Sequence, residues 1–170
     1  MRGYAVAMSD TTTQRRQLPA TQLRAWRAFL EAHARVIEVL AKELRDETDL
    51  PLSWYDVLVQ LSEAPDDQLR MQELAEAVLL SKSGLTRLID RMERAGLVAR
   101  VACSDDRRGT YAQLTTAGRE RLRDAAPVHL RGVREHFGDR FDDTEAATLE
   151  RLLGRVAAPS EHDGTDPAGA

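Results

Sequence analysis

Residues 72–118 read QELAEAVLLSKSGLTRLIDRMERAGLVARVACSDDRRGTYAQLTTAG, and they decide the fold. Leu74, Ala75 and Val78 recur at helical spacing, and after a short break Leu85, Leu88, Ile89 and Met92 do so again. Gly96 then supplies a residue that tolerates positive φ just past a helix end. Two short helices joined by so tight a turn make a helix-turn-helix, with residues 81–95 as its recognition helix. Residues 97–102 and 110–114 follow as two strands around the polar tip CSDDRRG, which is the pattern of a β-hairpin. A hairpin directly behind a helix-turn-helix is a wing.

With Leu85 and Leu88 turned inward, Lys82, Ser83, Thr86 and Arg87 face outward in the first two turns of the recognition helix. A helix presented end-on brings these side chains to base edges and its free N–H groups to phosphates. Lys82 and Arg87 can donate to guanine or phosphate, Ser83 and Thr86 can contact either, and Thr86 adds a methyl for thymine. Arg91, one turn on, is placed for a phosphate. Ser81 has two readings, as the cap of the helix or as a further DNA contact. At the hairpin tip, Asp106, Arg107 and Arg108 form a slender charged loop suited to the minor groove, with Asp106 orienting an arginine. The bland readings are a solvated helix face and an ordinary polar turn.

Outward from this middle the chain is mainly α. Aromatic residues are 5% of 170, so Leu, Ala and Val must build the core. Leu23, Trp26, Leu30, His33, Ile37, Leu40 and Leu44 alternate at spacings of three and four through a helix over residues 20–48. This seam suits an ordinary core helix or a helix shared with a partner chain. Ser53 with Asp56 reads as the cap of the next helix, with Trp54, Val57, Leu58 and Leu61 inward. Residues 68–71 form a short strand. Thr115 opens a long helix in which Pro127 should introduce a kink. Asp142 caps a last helix, with Leu149, Leu152, Leu153 and Val156 inward. Residues 1–18 and the end from about 158 carry the composition of disordered tails; residues 19–157 read as one domain.

The net charge is −4, which by itself opposes nucleic-acid binding. Its distribution reverses the inference. Residues 81–108 hold seven cations against four anions, whereas residues 139–170 hold eight anions against three cations. One cysteine, Cys103, excludes an intramolecular disulfide and suits a reducing cytoplasm. No apolar run approaches the roughly 20 residues of a membrane span. Enzyme signatures are lacking: there is no nucleophile elbow, phosphate loop or zinc-protease motif. His33, His129, His136 and His162 lack metal-ligand spacing, so no metal or other cofactor is expected.

The run LRMQELAEAVLLSKSGLTRLIDRMERAGLVARVACSDDRRGTYAQLTTAGRERL resembles the multiple antibiotic resistance regulator (MarR) family of winged helix-turn-helix transcription factors. The family's D-x-R wing and its L-T-x-x-G exit are matched by Asp106, Arg108, Leu114, Thr115 and Gly118. Its recognition-helix pattern is matched by Ser81, Lys82, Ser83 and by Leu88 to Glu93. The resemblance implies a cytoplasmic homodimeric regulator, often a repressor, on a pseudo-palindrome of double-stranded DNA. It implies a dimer region from the terminal helices, carried here by Leu23, Trp26, Leu30, Leu149, Leu152 and Leu153. It also implies control by a small aromatic effector in a crevice, for which Trp26, His33, Trp54 and Tyr55 are the candidates. The family's redox cysteines lie in the first helix, a pattern Cys103 does not match. The competing reading is a winged-helix module that docks protein without specific DNA binding.

Overall fold

The computed structural model describes residues 18–102 and 110–158. Its helices are α1 (Ala20–Thr48), α2 (Leu52–Glu63), α3 (Met71–Ala77), α4 (Lys82–Arg94), α5 (Thr116–His136) and α6 (Asp143–Ala157). Three strands, β1 (Gln68–Arg70), β2 (Val98–Ala102) and β3 (Thr110–Leu114), form one antiparallel sheet in the order β1-β3-β2. The register pairs Val98 with Leu114 and Ala102 with Thr110, and on the other edge Arg70 with Tyr111.

The described residues divide into two compact units, and α1 runs through the boundary after Arg35. In the first unit α1 carries a ladder of rings, with Trp26 6.0 Å from Phe29 and Phe29 6.2 Å from His33 between centroids. Trp26, Phe29 and Leu30 are largely exposed.

The core of the second unit collects Leu44, Leu50, Val57, Leu58, Leu61, Leu74, Leu85, Ile89, Met92 and Val98, all essentially without solvent contact. Val57, Leu58, Leu61, Leu74, Leu85, Ile89 and Met92 are the inward positions that helical spacing selects in α2, α3 and α4, each buried side chain contributing about 1.5–3 kcal/mol. The seam of α1 divides, because Leu40 and Leu44 join this core while Ile37 is 42% exposed.

Two expectations are corrected. Helix α2 begins at Leu52, with Pro51 in extended backbone as its N-cap and no side-chain cap bond, so Ser53 and Asp56 do not form the start. The proline already fixes the φ that the entry requires. No residue of α6 is buried: Leu152, Leu153 and Val156 are exposed and Leu149 is half-buried. Its apolar stripe is real, but none of the described residues buries it. Helix α5 continues through Pro127.

Within the second unit, the last turns of α1 are bound to α5. Arg131 pairs with Glu47, and Arg121 donates to the Thr48 carbonyl. His136 Nε2 lies 2.6 Å from Glu43 Oε1. Gly132 makes this approach possible, since a Cβ there would stand 2.6 Å from Leu40 Cδ2 and 2.7 Å from Glu43 Oε2.

On the α2–α5 side, the His129 ring stacks on Tyr55 at 4.4 Å, and its Nδ1 is buried with no partner among the described residues. Burial pushes the His129 pKa below the usual imidazole value. The folded state therefore holds His129 neutral while the unfolded chain takes up a proton below about pH 6.5. Stability should be full above that pH and fall as the pH drops through the folded pKa. The slope of unfolding free energy against pH in that window should flatten in His129→Gln. Burial raises the Asp56 carboxyl pKa, which acts in the opposite sense at lower pH. An unchanged slope between pH 6.5 and 5 in His129→Gln would assign the acid sensitivity elsewhere.

Candidate nucleic-acid interface

Helix α4 is set by its two ends. At the start, Ser81 Oγ accepts from Gly84 N at 3.1 Å and sits 3.3 Å from Ser83 Oγ. This is an N-cap, so the Ser81 oxygen is already engaged; Gly84 leaves room, since its Cβ would lie 3.1 Å from that oxygen. At the other end, Gly96 has φ 74°, Gly96 N donates to Glu93 O at 2.9 Å and Leu97 N to Met92 O at 3.0 Å. These paired bonds around a left-handed glycine are a Schellman motif, which turns the chain straight into β2.

The hairpin is tied back by Thr115. Its hydroxyl donates toward the carbonyls of Gly96 at 2.7 Å and Leu97 at 3.0 Å and accepts from Gly118 N at 3.0 Å. Gly118 is required by contact, because a Cβ there would stand 2.1 Å from the Leu97 carbonyl oxygen. The L-T-x-x-G exit therefore has a mechanical meaning: it locks the base of the wing to the end of α4.

Along the outer face of α4, Lys82, Ser83, Arg87 and Arg91 are exposed. Lys82, Arg87 and Arg91 form no ion pair among the described residues. Thr86 is also exposed, but its Oγ1 donates to the Lys82 carbonyl at 2.9 Å, leaving the methyl and an acceptor lone pair for a ligand. Arg94 is turned back onto its own helix, Nε donating to the Asp90 carbonyl at 3.1 Å. Asp106, Arg107, Arg108 and Cys103 lie outside the described residues.

In the sequence Arg100 is one cation in a basic stretch; in the fold its role is more specific. From β2 its guanidinium reaches Asp90 at 2.5 Å and Glu93 on α4, with the Thr86 carbonyl at 3.4 Å. Glu93 also accepts from Arg100 N at 3.1 Å. Burial works against this charge, but the bonds to both carboxylates outweigh it and raise the Arg100 pKa. One cation thus neutralises two anions on the recognition helix and fixes the wing strand to it. The signal was the D-x-x-E spacing facing a strand arginine, visible only once the hairpin register is known.

Of the effector candidates, Trp26 and His33 stand at the exposed ring ladder of α1. On α2, Tyr55 is buried against His129 while Trp54 is only half-buried. Among the described residues there is no group of three His, Cys, Asp or Glu side chains that could hold a metal ion, and no helix long and apolar enough to cross a membrane.

A three-stranded wing locked behind a capped, outward-facing second helix defines the winged helix-turn-helix class. The MarR family profile matches residues 48–109. The structure of AbsC, a MarR family transcriptional regulator from Streptomyces coelicolor, aligns with a TM-score of 0.78 at 41% identity, covering 84% of this chain and 95% of that one. Sco3205, another MarR family transcriptional regulator from that organism solved in complex with DNA, aligns at 0.80 with 35% identity, over 89% and 98% of the two chains. The HTH-type transcriptional repressor YetL of Bacillus subtilis is 31% identical over 61% of this chain; the match spans 64% of that protein, slightly under two thirds of its length. The chain belongs to the MarR family of DNA-binding transcriptional regulators.

Proposed function

We propose that this chain is a cytoplasmic repressor that binds a pseudo-palindromic DNA duplex as a homodimer and lets go when a small aromatic effector binds. The observation that carries the DNA reading is the face of α4, where Lys82, Ser83 and Arg87 stand exposed on a helix clamped by Arg100. In this reading Ser81 holds the helix end. Lys82, Ser83, Thr86 and Arg87 read the major groove, Arg91 contacts a phosphate, and Asp106 with Arg107 and Arg108 enters the minor groove. A protein-docking wing would present apolar side chains on that face instead. Sco3205 in complex with DNA supports the target, and YetL, named a repressor, supports the sign of regulation. Exposed apolar stripes on α1 and α6 support the dimer. The effector rests on family membership, with Trp54 the accessible member of the α2 pair.

Selection of bound duplexes from random sequence tests the reading. A palindrome with half-sites about one helical turn apart is expected, with affinity falling steeply as salt rises. On that duplex Arg108→Ala should weaken binding by about 1–3 kcal/mol without lowering the unfolding temperature. Failure to enrich any motif would favour the protein-docking module.

A further inference from the structure

The turn between α3 and α4 contains an anomaly. Helix α3 ends in the same pair of bonds as α4, with Leu79 N donating to Glu76 O at 3.2 Å and Leu80 N to Ala75 O at 2.9 Å. The left-handed position of this second Schellman motif is filled not by glycine but by Leu79, at φ 54°. A Cβ is strained in that region, and leucine gains nothing from the fold in return, since Leu79 is 91% exposed. Its neighbour Leu80 is 38% exposed. A strained, solvated leucine in a tight turn carries two costs at once, where Gly96 at the equivalent point of α4 carries neither.

Leu79 stands two residues before the Ser81 cap, so it adjoins the end of α4 from which Lys82, Ser83 and Arg87 project. The apolar feature that a major groove offers is the C5-methyl of thymine. We propose that Leu79 is a specificity-determining residue that packs on a thymine methyl at the edge of each half-site. This rests on the DNA reading above. The left-handed backbone lifts the side chain off the protein and holds it where the duplex lies, and the adjoining cations draw the phosphates in around it. Burial of one methyl against Leu79 corresponds to about fourfold in affinity per half-site.

The test uses the full chain and the duplex recovered by selection. Leu79→Gly suits the backbone and Leu79→Asn tolerates it, so both should unfold at or above the wild-type temperature. Each should bind about fourfold more weakly per half-site, with the salt dependence unchanged. Replacing thymines singly by deoxyuridine removes only the methyl. One symmetry-related position should cost the wild type about fourfold and cost Leu79→Gly nothing. Equal affinity of wild type and Leu79→Gly would overturn the contact. Weaker binding by Leu79→Gly with no uridine-sensitive position would overturn the thymine assignment. A wild type that selects no duplex would instead defeat the DNA reading itself.

Discussion

Arg100→Met is expected to weaken binding to the selected duplex by about tenfold to a hundredfold while lowering stability by only about 1–2 kcal/mol. Methionine keeps the aliphatic packing of the arginine stem and removes the charge. The side chain is 27% exposed, so solvent screening limits the stability cost. Binding suffers more, because Asp90 and Glu93 are left as two uncompensated anions on the helix that must approach a polyanion. The strand that carries the wing also loses its tie to α4, and the wing and helix no longer present themselves as one rigid surface. Adding Asp90→Asn and Glu93→Gln to Arg100→Met separates the two effects. Recovery of most of the affinity in the triple variant assigns the loss to charge, and persistence of the loss assigns it to the lost clamp. Wild-type affinity in Arg100→Met, measured at fixed salt, would remove Arg100 from the interface altogether.

The helix-turn-helix and hairpin were legible because their signals are local. Gly96 marks a positive φ, Ser81 marks a cap, and Leu85, Leu88, Ile89 and Met92 form a stripe that packing alone explains. What the sequence did not disclose depends on pairing across the fold. Arg100 counts as a free cation until the register sets β2 beside α4, and Gly118 is one helical glycine among several until the Leu97 carbonyl is found against it. The cap of α2 was misplaced because Ser53 and Asp56 imitate a capping pair while Pro51 sets the entry by its ring. Leu79 was missed for a related reason. The turn was recognised from its shortness, and nothing in the composition of VLLS states which residue takes the left-handed backbone. Periodicity, finally, reports that a face is apolar and not what covers it, which is why Leu149, Leu152 and Leu153 were read as inward.

That ambiguity has a measurable resolution. Leu153→Asp should convert the protein from dimer to monomer by light scattering at micromolar concentration. It should also reduce affinity for the full palindrome by about 10² to 10⁴, the loss expected when two linked sites become one. The substitution is mild within one chain, because Leu153 is 37% exposed and its neighbours Leu152 and Val156 are 43% and 77% exposed. An aspartate there stays hydrated, and helix content and the core of Leu58, Leu61, Ile89 and Met92 should be undisturbed. The cost appears only when a second copy must bury it, where a carboxylate without a partner is strongly unfavourable. Helix α1 makes the same point separately. Its three-and-four spacing continues past the buried Leu40 and Leu44 to Trp26 and Leu30, which are 51% and 44% exposed. Large apolar side chains left this exposed on one helix are what the proposed dimer would cover. A Leu153→Asp protein that remains dimeric with full affinity would move the interface off α6 and leave α1 as its seat.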